Sequence, residues 1–235
     1  MTLLEIVQHF CRRTNNLSVP STVYGSTDPQ VLQLLALLEE EGSDLAARVP
    51  WQEITYEATH TSLAAENQGA ITSIATNGFS YIKQGTFWDR TEKLPIYVMD
   101  GIEWQSEKGF AATGPRYSVR IRGNRLIATP TPAAGNTWAF EYVSKNWILE
   151  DDGATYAQFF SDDDDTPLLP ENLLLLGLRW RWKKEKGLEY QEDFATYERL
   201  VANAISRNGI GRALSMDNHG RPSRGLIVDQ GNWPL

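Results

Sequence analysis

The stretch LPENLLLLGLRWRWKKEKGLEYQEDFATYE (Leu169–Glu198) decides how the rest of the chain is read. Pro170-Glu171 opens a run in which Leu173, Leu174, Leu175, Leu176, Leu178, Trp180 and Trp182 surround a helix rather than forming one stripe. A helix that is apolar all round must be covered on more than one side. Gly187 breaks the run. Beyond it Tyr190, Phe194, Tyr197, Val201 and Ala204-Ile205 recur at helical spacing, with Glu189, Glu192, Arg199 and Asn203 on other faces. This second, amphipathic pattern stops near Asn208-Gly209, so residues 170–208 read as two helices.

Upstream, the chain begins in the same way. Thr2-Leu3-Leu4-Glu5 fits a capping box, and Leu3, Ile6, Val7 and Phe10 follow at helical spacing to about Arg13. Asp28-Pro29 is a second start signal, an N-cap before a first-turn proline. Val31, Leu34, Leu35, Leu38, Leu45 and Val49 carry that helix towards Pro50, with Gly42 weakening its middle. Residues 1–50 thus hold two helices, the first ended by Asn15-Asn16.

From Trp51 the texture changes. Asn77-Gly78 between ITSIAT and FSYIK predicts a two-residue hairpin, and Gly123-Asn124 predicts another. Trp138, Phe140 and Tyr142 alternate with Thr137, Ala139 and Glu141 as in a half-buried strand, and Asp100–Lys108 has room for a short helix. Residues 51–149 are expected to form a small antiparallel β-sandwich or barrel. The fold class is α+β: a helical bundle of two N-terminal and two C-terminal helices, an inserted β domain, an acidic loop over 150–169, and an extended arm over 209–235.

Charge and composition exclude several functions. Of 235 residues, 41% are hydrophobic and 22% charged, which fits a folded chain. No stretch approaches the roughly 20 apolar residues of a membrane span, so no membrane partner is expected. MTLLEIVQHFCRR puts its basic pair after the apolar segment, the reverse of a secretory leader. A lone cysteine, Cys11, predicts neither a disulfide nor a thiolate metal site, and it falls on a core-facing helix. Twenty-two Lys and Arg face 30 acids, for a net charge of −8. Glu150–Glu171 alone holds eight acids and no base, so the remainder sums to zero. Electrostatics disfavour specific DNA binding.

Asp162, Asp163, Asp164 and Asp165 lack the spacing of a calcium loop, and a solvated loop without metal is expected. Arg116, Arg120 and Arg122 share a strand face, read as its wet side rather than an anion site. No nucleophile elbow and no phosphate-cradling glycine loop occurs. No catalytic residue, metal or cofactor is expected. The even alternation of Arg179-Trp180-Arg181-Trp182-Lys183 suits a subunit interface, where both sides of a helix are covered. Leu173, Leu176, Trp180, Trp182, Phe194 and Tyr197 are the expected subunit contacts.

GTFWDRT with the following LP (Gly85–Thr91, Leu94-Pro95), the pair Glu103-Trp104 and FEYVSKNW (Phe140–Trp147) resemble the β domain of head–tail adaptor proteins of tailed phages. Leu169–Glu198 resembles the helices of the same family. The nearest likeness is to the adaptors of short-tailed phages, also called tail tubular protein A or head-completion proteins. The resemblance implies a structural virion protein made in the host cytoplasm, forming a ring, usually a dodecamer, under the portal protein. It further implies that DNA passes through the ring without specific binding, that nozzle, fibre or spike proteins of the tail attach below, and that the arm docks on the portal. From Arg207 onward four Arg oppose two Asp, and Arg212, Arg221 and Arg224 with Leu226, Ile227, Val228 and Trp233 are the expected portal contacts. The alternatives are a β-sandwich carbohydrate- or receptor-binding module on a helical stalk, favoured by the aromatic residues of 51–149, and a hydrolase using an unrecognised carboxylate pair.

Overall fold

A computed structural model describes residues 1–14, 17–110 and 116–208. Its six helices are α1 (Leu3–Arg13), α2 (Pro29–Arg48), α3 (Ile71–Ile74), α4 (Gly101–Phe110), α5 (Glu171–Glu185) and α6 (Gln191–Asn208). The starts follow the expected chemistry. Thr2 and Glu5 exchange both hydrogen bonds of a capping box, and Asp28 accepts from the Gln30 N–H at 2.8 Å. Asp100 likewise caps α4, accepting from Ile102 and Glu103 N–H at 2.8 Å each.

The strands are β1 (Thr55–Thr61), β2 (Asn67–Ala70), β3 (Phe79–Ile82), β4 (Trp88–Asp89), β5 (Leu94–Pro95), β6 (Tyr97–Val98), β7 (Ser118–Arg122), β8 (Arg125–Thr129), β9 (Thr137–Ser144), β10 (Ile148–Leu149), β11 (Tyr156–Ala157) and β12 (Thr166–Pro167). Antiparallel pairing dominates. β9 holds β1 along one edge, and β3 and β4 along the other, with β5 outside β4. A second sheet runs β2-β8-β7-β6, its last pair parallel. Trp138, Phe140 and Tyr142 of β9, Phe87, Val119 of β7 and Leu126 of β8 belong to one buried cluster drawing on both sheets.

A second cluster joins the four long helices. It unites Leu3, Ile6, Val7 and Phe10 with Leu34, Leu38 and Leu45, with Leu173, Leu174 and Leu178, and with Tyr197 and Val201. Trp51, Val143, Trp147 and Phe160 extend it beyond the helices.

The two turn expectations fare differently. Gly123 and Asn124, at φ 56° and 61°, make the hairpin between β7 and β8 as expected, since both central positions need positive φ. Asn77-Gly78 makes none. Residues 71–74 form a helical turn, and β3 pairs with β9 instead. Ile71 and Ala75, one helical turn apart, are both buried in the core cluster of the sheets.

Candidate functional site

α5 lies against α1, α2 and α6, which cover most of its apolar surface within one chain. Leu173 is 1% exposed and Tyr197 is fully buried. Trp180, 7% exposed, packs on Tyr190, Phe194 and Tyr197 with ring centroids 6.4, 5.0 and 6.1 Å away. Trp182 is half-buried, edge-on to Phe10 at 5.9 Å. The six residues read as subunit contacts therefore divide. Leu173, Trp180 and Tyr197 lie in the chain's own core, whereas Leu176, Trp182 and Phe194 keep accessible surface. The arm residues Arg212, Arg221, Arg224, Leu226, Ile227, Val228 and Trp233 lie outside the described residues.

Between α2, α5 and α6 sits a charge network that sequence reasoning missed. The Arg181 guanidinium donates through Nε to Glu41 at 2.6 Å, through Nη1 to Glu40, and through Nη2 to Asp44 at 3.3 Å. Asp44 also accepts from Arg48 Nη2 at 3.0 Å, and Arg48 Nη1 reaches Glu198 at 2.9 Å. Tyr197 Oη donates to Glu41, which has no solvent exposure. Burial pushes the Glu41 carboxyl above the usual range, and the hydrogen bonds from Arg181 and Tyr197 only partly offset that. Burial and the neighbouring Glu41 likewise drive the Tyr197 hydroxyl far up. One signal was present in the sequence: Leu174, Gly177, Leu178 and Arg181 share a helical stripe, so an arginine at its end required an acid opposite. Gly177 makes room for that acid. A Cβ there would stand 2.1 Å from the Glu41 carboxyl carbon.

The acidic stretch departs from expectation. It is no plain solvated loop, since β11 and β12 both pair with β10. Asp165 is fully buried, and its carboxylate accepts from the N–H groups of Ser161, Asp162 and Asp151 at 2.6, 2.9 and 3.1 Å and from Ser161 Oγ at 3.1 Å. Asp163 accepts from Thr22 Oγ1 and from Val23 and Tyr24 N–H at 2.6, 2.9 and 2.7 Å. Burial alone would raise the Asp163 carboxyl, but these bonds together outweigh it and hold the group below its ordinary value. Its stability contribution is present above the ordinary carboxylate pKa, near ~4, and is lost as pH falls through the depressed one. Four adjacent acids had suggested solvation because they cannot all turn inward; two of them do, each onto backbone donors. Asp165→Ala is expected to cost about 3 kcal/mol, since it strands donors that had a charged acceptor. Asp164→Ala, at an exposed position, should stay within about 0.5 kcal/mol of wild type in urea unfolding.

Two recesses mark the surface of the described residues. A shallow cleft of about 650 Å³ lies over β4 and β9, beside partly exposed Trp88. Three of its charges are paired, Arg90 with Glu57 at 2.7 Å and Glu141 with Lys83 at 2.9 Å. A smaller crevice separates α1 from α5, lined by His9, Phe10, Arg13, Thr14, Leu175, Leu176 and Arg179. Cys11 is buried, and burial pushes its thiol up. Arg116 and Arg122 are exposed, and the Arg120 guanidinium lies against Gly101. Among the described residues no group of three His, Cys, Asp or Glu could hold a metal, and no helix is long and apolar enough to cross a membrane.

The family model of the SU10 adaptor protein matches residues 1–225, taking in both clusters and part of the C-terminal stretch. Among curated proteins none matches the chain.

Proposed function

The chain belongs to the SU10 adaptor protein family and is a structural adaptor of a bacteriophage virion, and from that premise we propose that it is the ring-forming head–tail adaptor beneath the portal of a short-tailed phage. In this reading the helices of 1–50 and 170–208 form a bundle that builds a closed dodecameric ring, and 51–149 is an inserted β-sandwich or barrel domain. The ring continues the DNA channel and offers a platform to the nozzle, fibre or spike proteins of the tail. The observation that carries the reading is the family match along 1–225, which spans helices, sheets and the following stretch alike. The charge of −8 supports it, because on the order of a hundred negative charges per dodecamer would repel the phosphate backbone and favour passage over sticking. Leu176, Trp182 and Phe194 are the subunit contacts retained in this proposal.

Arg212, Arg221, Arg224, Leu226, Ile227, Val228 and Trp233 are assigned to portal docking. Side-by-side arms on a ring would add avidity, so modest affinity per arm suffices for a lasting joint. Truncation after Gly211 is expected to leave the melting temperature unchanged and to abolish co-purification with portal. Electron micrographs of the full chain mixed with portal should show rings on the portal face. Normal portal capture by the truncated chain would remove the arm from the proposal, and absence of any ring would remove the adaptor role described here. One observation favours a glycan- or receptor-binding reading, the partly exposed Trp88 beside its cleft, and a glycan array with a Trp88→Ala control tests it.

A further inference from the structure

We infer that the acidic segment around Phe159 on one copy docks into the α1/α5 crevice of the next copy. Phe159 is 58% exposed, although the adjacent Phe160 is buried edge-on to Trp147 at 5.4 Å. The Phe160 N–H also donates to Glu39 of α2. The segment is therefore anchored by one aromatic residue while it presents the other, so docking orders little that is not already ordered. Around it Asp151, Asp152, Asp162 and Asp164 are exposed, and none of them forms an ion pair among the described residues.

The crevice offers the complementary chemistry. Its floor is Leu175 and Leu176, which α1 leaves partly accessible. Its rim carries Arg179, held on one side by Asp193 at 3.2 Å, and Arg13, which is exposed and has no ion-pair partner among the described residues. His9 Nδ1 is buried beside it without a hydrogen-bond partner. At about 40 Å³ the crevice is too small to swallow a phenyl ring, so Phe159 would lie across the two leucines.

Placement selects the partner. The acidic segment is bonded to the start of α1, where Leu3 and Leu4 N–H donate to the carbonyls of Asp165 and Asp163 at 2.9 and 3.1 Å. The crevice lies at the other end of that helix, at residues 9–14. Two complementary patches at opposite ends of one helix suit a head-to-tail contact between identical chains, and such contacts generate rings when the rotation closes. A two-fold contact through either patch alone would bring like charges together. The inference rests on the ring proposed above and names its contact.

The test uses the full chain, alone and with portal, with oligomer mass read by mass photometry at low and high salt. Phe159→Ala and Arg13→Glu should each raise the concentration for half-assembly by about tenfold, as loss of an anchor or reversal of a facing charge does. Assembly of the wild type should weaken with salt, and Arg13→Glu combined with Asp162→Lys and Asp164→Lys should recover most of what Arg13→Glu loses. Melting temperatures check that each variant folds. Rings of wild-type strength from the single variants, or no recovery in the combined one, overturn the contact while leaving the ring intact. Variants that keep the ring but lose portal would reassign the crevice to portal and also overturn it. A wild type that forms no ring, alone or on portal, sinks the contact together with the adaptor reading.

Discussion

Arg181→Ala is expected to destabilise the protein by about 3–5 kcal/mol, the usual result of removing one partner from a buried ion pair. The size follows from what remains. Glu41 has no solvent exposure and would keep only the Tyr197 hydroxyl, while Glu40 and Asp44 would lose their shared cation. The Arg181 guanidinium also lies over the Trp180 ring at 4.7 Å, so packing is lost together with charge. Arg181→Lys should rescue only in part, because an ammonium cannot fork towards three carboxylates. The pH dependence has a definite sign. The folded-state pKa of Glu41 is already raised by burial, and losing Arg181 removes the strongest influence that lowers it, leaving only the Tyr197 hydroxyl. A raised folded value contributes stability below the unfolded pKa and loses it as pH rises. The deficit of the alanine variant against wild type should therefore be larger at pH 8 than at pH 5, measured by urea unfolding. Equal deficits at both would mean that Glu41 is not left charged and alone. Arg181→Met with Glu41→Leu should cost less than the sum of the single changes, since the pair then leaves together.

The helices were legible in the sequence because their ends carry local chemistry. The Thr2–Glu5 box, Asp28 before Pro29 and Gly187 after α5 all act within a few residues. The Gly123-Asn124 hairpin was legible for the same reason. Asn77-Gly78 was misread because residues 71–74 ahead of it form a helical turn, and β3 after it pairs with β9, a partner about 60 residues away that the local signal does not show. Tertiary partners also account for much of the cover of α5 that the sequence left open. Apolarity on every face was taken to require other subunits, yet α1, α2 and α6 supply most of the cover, with Trp180 inside an aromatic cluster. The charge network needed partners about 140 residues apart in sequence to be seen, Glu41 on α2 against Arg181 on α5. Asp163 and Asp165 hid among neighbours of the same type, since composition cannot say which of four acids meets backbone donors. As for the proposed assembly surfaces, the aromatic and leucine residues were visible early, but which of them stay accessible depends on how the helices close over one another.

Gly42→Ala should destabilise the protein although helix propensity alone argues the reverse. Gly42 lies inside α2, where alanine is favoured over glycine by about 1 kcal/mol. Tertiary packing opposes that gain. A Cβ at this position would stand 2.2 Å from Trp147 Cη2 and Cζ2, far inside the ~3.5 Å at which carbon atoms meet comfortably. The indole has little freedom to retreat, being fully buried and edge-on to Phe160. Moving it would disturb the Phe160 anchor and the neighbouring strand β10, which begins at Ile148. Overpacking of a fixed core ring costs about 3 kcal/mol at the upper end of its usual range. Set against the propensity gain, the net loss is about 2 kcal/mol, or roughly 4–8 °C in melting temperature for a chain of this size. Ala36, on the same helix away from this contact, provides the control: Ala36→Gly should lose about 1 kcal/mol through propensity. The two substitutions thus run in opposite chemical directions and should both destabilise. A higher melting temperature for Gly42→Ala would show that Trp147 can yield and that the close approach of α2 to its ring is not required.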